Sequence, residues 1–444
     1  MSFAPAYIPI GVGTFHLESA EKLFNESAAL LRKIDPGFAV PGEMLLTIDS
    51  LKAYLDTVNP DVAVVQNLTF ANSAYVSEVI ARFDCPVILW TLREPVIDGT
   101  RLRLNSLTGA FSAGNAMRHF GRAFEYVFGA PSEKEVESKI AAAVSAARLI
   151  KEMKSLKLLQ VGHTPQGFGF GRALDSEMLK NFGVRLESIE ARELIEKAKS
   201  YSDEEIVEYL ADAKTRIAGL DEIDGKNVSD FARLYKAYKE YVDANGVGAL
   251  ASRCWPDFFV SFGTPVCSVL GILNDLGMPA ACEADAYGAL SMYAAQKLTG
   301  KCAFFGDPVS LDENENTLTF WHCGMAPCSL ARDDTGACAG VHCNRKIGPT
   351  LEFGCKAEKA VTVFRIGREP DGTFRFFSAK GEALDRPKQF YGTSLVVKTE
   401  YPVKELVEGA VKYGWEPHYA VAMGDITEEI KALGNMMGIE VFAF

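Results

Sequence analysis

The sequence predicts an α/β protein with two doubly wound, Rossmann-like parallel-sheet domains and a C-terminal domain that contains a β-barrel. Three observations predict it. Up to about residue 335, short Val- and Ile-rich runs alternate with amphipathic stretches, the pattern of strands joined by helices. Beyond about residue 340 the pattern turns to period-two alternation around a Pro-Asp-Gly turn. And 444 residues are too many for one hydrophobic core.

The elements follow in order. Tyr7–Val12 reads as a buried strand and Ser19–Lys33 as a helix, and Val62–Gln66 and Pro86–Trp90 as further strands. Ser132–Met153 reads as one long helix, with Ser132 as N-cap and Glu135 three residues on, and it closes a first domain, 1–155. A second domain, 156–335, opens with the strand-like run Leu156–Gly162. The glycine-rich loop His163–Gly171, the helix Asp175–Phe182 and the strand Val184–Ile189 follow. Ser202–Leu220 and Asp230–Ala244 are amphipathic, charged helices. Arg253–Val266 is rich in aromatics, Gly and Pro, which suits a loop that lines a site. Val269–Asp275 and Gly288–Leu298 read as helices, and Cys302–Phe305 and Leu318–His322 as strands. In the third domain, 336–444, Ala360–Ile366 and Thr373–Ser378 flank the turn Glu369-Pro-Asp-Gly372, and Phe390–Lys398 adds a strand. The chain then runs through the helix Val403–Tyr413, the strand His418–Gly424, the helix Ile426–Met437 and a last strand.

Composition narrows the function. Hydrophobic residues make up 48% and charged residues 23%, which is globular. A net charge of −12 disfavours nucleic acid and anionic membrane surfaces as partners. No run of about 18 apolar residues reads as a membrane span. Met1–Gly13 has neither the basic nor the long apolar region of a signal peptide. The ten cysteines need no disulfide framework at this length, and several lie in apolar runs. These features point to a reducing, cytoplasmic compartment.

Six histidines are few, and a lone one is most often a hydrogen-bonded core or surface residue. Two stand out. His322 ends an apolar strand in Thr319-Phe-Trp-His-Cys-Gly-Met-Ala-Pro327, and His418 opens one in Trp415-Glu-Pro-His-Tyr-Ala-Val-Ala-Met-Gly424. Strand ends are where sites collect in α/β proteins. In Cys282-Glu-Ala-Asp-Ala-Tyr-Gly288 two carboxylates precede a helix. Asp285 there reads as that helix's N-cap, or else Glu283 or Asp285 binds a hard divalent cation. A third carboxylate, Asp257, lies in Arg253-Cys-Trp-Pro-Asp-Phe258. Cys323, Cys328, Cys338 and Cys343 with His342 lack the Cys-x2-Cys spacing of a zinc finger or ribbon. The loop Gln166-Gly-Phe-Gly-Phe-Gly171 fits neither the dinucleotide fingerprint nor a Walker motif, so it reads as a tight loop lining a site.

Together, Arg253-Cys-Trp-Pro-Asp257, Cys282-Glu-Ala-Asp-Ala-Tyr-Gly-Ala-Leu-Ser-Met292, Trp321-His-Cys-Gly-Met-Ala-Pro327 and Pro417-His418 resemble the L-fucose isomerase-like and L-arabinose isomerase family. The likeness is strongest over 250–330 and 415–440. In the first domain it rests on layout and on Leu89-Trp-Thr-Leu-Arg-Glu-Pro95 and Asn105-Ser-Leu-Thr-Gly109. The resemblance implies trimers or hexamers in which a neighbour's first domain completes each site. It implies Mn²⁺, with Co²⁺ or Mg²⁺ as substitutes, and aldose–ketose interconversion through an enediolate. Carried over by position, Asp285, His418 and His322 are metal ligands, and Asp257 stands for a catalytic glutamate. On this reading Asp257, Asp285 and His418 hold the metal with His322 as fourth ligand or supporting partner, and Asp257 and Asp285 double as acid and base. Trp90, Trp255 and Tyr287 pack on the sugar, Glu283 contacts it or supplies the second carboxylate, and Arg253 binds a hydroxyl or an anionic substituent. The substrate is a pentose, hexose, 6-deoxy- or 6-substituted hexose, a sulfonated one included. Two other readings remain open. An epimerase or aldolase would use the same enediolate chemistry, and a non-catalytic sugar-binding protein would not need Asp257, Asp285 and His418 together.

Overall fold

Apolar runs with no polar face require burial on both sides, which a parallel sheet flanked by helices provides. The computed structural model, which describes residues 3–444, follows this rule at once; the first two positions of the Met1–Gly13 segment lie outside the described residues. Strands β1 (Pro5–Ile10), β2 (Val62–Asn67), β3 (Val87–Thr91) and β4 (Glu125–Phe128) pair in parallel in that order. The first three are buried along their whole length, whereas β4, at the edge, alternates buried and exposed. Isoleucine, valine and leucine from this sheet pack with Val76, Val79 and Ile80 of the helix Ser73–Arg82 and with Ala110, Ala113 and Met117 of the helix Ser106–His119 in one core.

A second parallel sheet contains β5 (Lys157–Val161), β6 (Arg185–Ile189), β7 (Ala249–Ser252) and β8 (Ala280–Ala281), in the order β6-β5-β7-β8. The chain goes from β5 to one side and from β7 to the other. A crevice therefore opens beyond the carboxyl ends of β5 and β7, where ligands bind in doubly wound sheets. The loops that leave those ends are His163–Gly171 and the segment from Arg253.

The barrel is built from β9 (Phe304–Asp312), β10 (Thr317–His322), β13 (Glu358–Arg368), β14 (Phe374–Leu384), β15 (Thr393–Thr399) and β16 (Tyr419–Ala422). Their order is β15-β10-β9-β16-β13-β14, and antiparallel pairing of β14 with β15 closes the ring. Two short strands, β11 (Cys338–Gly340) and β12 (Thr350–Gly354), extend from β15. The β13–β14 hairpin turns where Glu369-Pro-Asp-Gly372 stands, and Gly372 takes the positive φ (+90°) that the turn needs.

Two segments differ from the sequence expectation. Ser202–Leu220 is a 3₁₀ turn, Glu204–Ile206, followed by the helix Val207–Arg216, and Gly219 turns the chain at φ +75° beyond it. Within Arg253–Val266, Phe258–Phe262 winds a π-helical turn that ends at Gly263. Such turns recur at functional sites.

The chain separates into two compact units: residues up to Lys151 with Glu428–Glu440, and Glu152–Thr427 with Val441–Phe444. The second sheet and the barrel share the second unit. Between them lies the helix Ala286–Thr299, which packs on β7, β13 and β16 and is buried from Ala286 to Ala295. A helix with apolar residues all round is a core helix, and its N-terminus points the 282–285 segment into the middle of the unit. Among the described residues no helix is long and apolar enough to cross a membrane.

Candidate active site

Beyond β8 the chain must reverse within four residues to enter the helix Ala286–Thr299. It does so with Glu283 and Ala284 both at φ +54°, a left-handed conformation that costs a non-glycine residue about 1 kcal/mol or more. This reversal turns the Glu283 side chain inward, and Asp285 caps the helix by accepting from the Gly288 N–H at 2.8 Å. The barrel supplies the other face. His322 ends β10, Asp307 lies opposite Trp321 on β9, and His418 stands just before β16, which pairs with β9. Three adjacent strands thus present these side chains at one end of the barrel.

Glu283, His322 and His418 converge. Glu283 Oε2 lies 3.3 Å from His322 Nε2 and 3.7 Å from His418 Nε2. All three residues are buried, and their ligand atoms lie within 4.8 Å of one another. Burial alone would raise the Glu283 carboxyl, but the two imidazoles outweigh it and lower its pKa to about 2. Burial likewise opposes protonation of His322, yet Cys323 and Glu283 push its pKa well up. Asp307 Oδ1 stands 3.4 Å from His418 Nε2, its side chain about a third exposed, and burial pushes its carboxyl up.

A further layer fixes the orientation of His418. Its Nδ1 donates to Asp285 Oδ2 at 2.9 Å, which turns Nε2 toward Glu283 and Asp307. Arg365 grips the same carboxylate through both Nη atoms, at 2.6 and 3.0 Å, and is itself fully buried. Burial would raise the Asp285 carboxyl, but the Arg365 guanidinium holds it well below the usual carboxylate range. A carboxylate behind an imidazole is how metal-binding histidines are oriented. Phe168, Phe170 and Phe305 surround the His418 ring at centroid distances of 6.2, 5.1 and 5.0 Å, so the glycine-rich loop does line this site.

The donor set suits a divalent cation. Glu283 Oε2 is buried and accepts no hydrogen bond, an arrangement that leaves an acceptor without a donor. One carboxylate oxygen with two imidazole nitrogens is borderline-hard, suited to Mn²⁺, Co²⁺ and related ions. These buried Glu and His groups could hold a metal ion. A second group, Cys254, Cys282 and Glu283, shares the same carboxylate, with Cys254 Sγ 3.8 Å from Glu283 Oε1.

Asp285 spends its oxygens on Gly288, Arg365 and His418, so it stands behind the cluster rather than in it. Asp257 is half-buried, its Oδ2 ion-paired with Arg253 Nε at 2.8 Å, while that N–H donates to the Trp255 carbonyl. Trp255 packs edge-on to Phe168 at 6.1 Å. Tyr287 is buried against Phe374, and its hydroxyl donates to Glu177. Trp90 is fully buried in β3, its indole N–H donating to the Gly129 carbonyl, so its ring presents no open face. Sequence reasoning missed Asp307 and Arg365. Asp307 had a signal, since Gly306-Asp-Pro follows the apolar run of β9. Arg365 had one too, as the lone charge between Val361 and Gly367 on an otherwise apolar strand.

No family model matches the chain. The sulfoquinovose isomerase of Clostridium sp. (strain MSTE9) is 59% identical over 436 residues, covering 98% of this chain and 98% of the relative. The sulfoquinovose isomerases of Alkalicoccus urumqiensis and Priestia aryabhattai are 37% and 36% identical over 438 residues, each covering 98% of this chain and 98% and 97% of their own. These relatives carry the sugar isomerase expected of the fucose/arabinose resemblance, although none is named for that family. A solute-binding protein of Agrobacterium vitis covers 68% of this chain and 90% of its own at 16% identity, but its TM-score of 0.16 supports no comparison of folds. At 59% identity over nearly the whole length, the chain belongs to the sulfoquinovose isomerase family and is a sugar isomerase.

Proposed function

We propose that this chain interconverts sulfoquinovose, an aldohexose with a sulfonate at C6, and the corresponding 2-ketose. The observation that carries the reading is the buried convergence of Glu283, His322 and His418 at the switch point of a chain so similar to sulfoquinovose isomerases. The relatives supply the substrate, and the cluster supplies the means.

In this proposal Glu283, His322 and His418 hold a divalent cation, Mn²⁺ or a substitute such as Co²⁺ or Mg²⁺. Such a cation, when bound, supplies Lewis acidity for the negative charge that develops on O1 and O2. The chain's own residues do the rest. Asp285, anchored by Arg365, keeps the Nδ1–H of His418 engaged and its Nε2 available. Isomerisation needs a base to take the proton from one carbon and return it to its neighbour, and an acid to move protons on oxygen. Asp257 and Asp307 are the carboxylates assigned to that exchange, because Asp285 has no oxygen left to offer. The ligand role first expected of Asp285 passes to Glu283. Trp255 and the phenylalanines of the glycine-rich loop provide the apolar wall for the sugar ring.

The resemblance to fucose and arabinose isomerases supports a trimer or hexamer in which a neighbour completes the site. Light scattering should give a mass of three or six chains, and a stable monomer with full activity would refute that arrangement. The function itself is tested with metal-stripped and Mn²⁺-reloaded protein and sulfoquinovose in D₂O. Metal-dependent appearance of the 2-ketose in the NMR spectrum supports the isomerase. A C2 epimer or a cleaved three-carbon product in its place would mean an epimerase or an aldolase.

A further inference from the structure

A sulfonated substrate requires a cation that is not already neutralised. The arginines near the cluster are mostly spent. Arg253 pairs with Asp257, Arg365 with Asp285, and Arg368 with Glu177. Arg172 is exposed and donates to the Thr164 hydroxyl. Arg345 differs from all of them. Among the described residues no carboxylate, carbonyl or hydroxyl accepts from its guanidinium. The group is half-buried over two aromatic faces, 5.0 Å from the Trp255 ring centroid and 5.0 Å from that of Phe259.

Stacking on a ring engages the face of a guanidinium and leaves its in-plane N–H donors unused. A partly desolvated fork of this kind, with empty donors, matches a planar pair of oxyanion oxygens in two parallel hydrogen bonds. The position is also built rather than incidental. His342 Nδ1 accepts from the backbone N–H groups of Asn344 and Arg345, which folds the turn that carries the arginine. The His342 ring packs edge-on to Phe259 at 5.0 Å, which ties that turn to the aromatic shelf. Ring contacts connect Arg345 to the cluster: Trp255 packs on Phe168, and Phe168 lies beside His418.

We propose that Arg345, shelved on Trp255 and Phe259, receives the substrate's sulfonate and sets the preference for sulfonated over plain sugars. The inference rests on the sulfosugar reading above, and it transfers to Arg345 the anion-binding role first expected of Arg253. Arg253 cannot fill that role while Asp257 neutralises it.

The test compares wild type, Arg345→Met and Arg345→Lys as metal-loaded enzymes on sulfoquinovose and on quinovose, which has a methyl group in place of the sulfonated carbon. In Arg345→Met the ratio of kcat/KM for sulfoquinovose to that for quinovose should fall roughly 10- to 100-fold, mainly through KM. Arg345→Lys, which keeps the charge but loses the fork, should fall between the two. A folded Arg345→Met enzyme with an unchanged ratio would overturn the inference and leave the isomerase reading standing. A wild type active on quinovose and inactive on sulfoquinovose would overturn both the sulfosugar reading and this inference. Should the Met variant misfold by circular dichroism, Arg345→Gln decides by the same ratio.

Discussion

Asp285 does three jobs with one carboxylate: it caps a core helix, neutralises Arg365 and orients His418. Replacing it with Asn preserves the shape but removes the charge. Arg365 is then a buried, uncompensated cation, and breaking such a pair costs about 3–5 kcal/mol. Asp285→Asn should therefore lower stability by that order in urea denaturation. If His418 is a ligand as proposed, it should also weaken metal affinity about 10- to 100-fold in a titration, since the carboxylate behind its imidazole is lost. A variant with wild-type stability and affinity would refute the placement. His342 gives a pH-dependent counterpart. Burial, helped by the charge of Arg345, lowers its pKa to about 4, and His322 and Glu283 are the other charged groups that bear on it. The unfolded chain binds a proton near pH 6.5, so the stability from keeping His342 neutral is complete above that pH. It is lost as pH falls from about 6.5 to about 4, a loss of order 3 kcal/mol or less. His342→Asn, whose amide oxygen can still accept, should flatten the denaturation profile in that window, and an unchanged slope would argue against it. At this scale the sequence made His322 and His418 legible because each interrupts an apolar strand end. The pairing of Glu283 rather than Asp285 with them was not legible. It depends on two left-handed residues, Glu283 and Ala284, that no propensity announces.

Elements position these residues by close approach. Gly171 ends the glycine-rich loop against the helix cap, and a Cβ there would stand 2.8 Å from Asp285 Cα. Backbone on the other side cannot yield as a flexible side chain would. Gly171→Ala should thus cost about 1–3 kcal/mol of stability and displace Asp285 from His418, with activity down more than tenfold. An Ala variant with wild-type melting temperature and rate would show that the loop has room to spare. The sequence marked this loop as one that lines a site because three glycines alternate with two phenylalanines between a strand and a helix without the spacing of a dinucleotide or Walker motif. Its partner could not be read, since Gly171 and Asp285 are far apart in sequence. The same holds for the barrel. The β13–β14 hairpin was legible from Glu369-Pro-Asp-Gly372, a local signal. The neighbourhood of β9 and β16 was not, because their pairing joins residues more than a hundred positions apart.

At the level of the molecule the first unit is discontinuous in sequence: Glu428–Glu440 belongs to the unit formed by the N-terminal residues. Periodicity shows that this segment is helical and not which core it completes, and in the sequence 336–444 reads as one piece. Within the second unit, the switch point of one sheet and one end of a barrel supply the two halves of the site, and the buried helix Ala286–Thr299 holds them in register. On the proposed reading, this arrangement makes Glu283 the carboxylate on which isomerisation of a sulfonated aldose depends. The most direct measurement is the NMR time course of sulfoquinovose with Mn²⁺-loaded wild type beside Glu283→Gln, both verified as folded. The account predicts steady formation of the 2-ketose by wild type and a rate lower by at least about a thousandfold in the variant, the scale of losing a principal electrostatic group. Ketose formation by Glu283→Gln at the wild-type rate, or none from either protein, would contradict it.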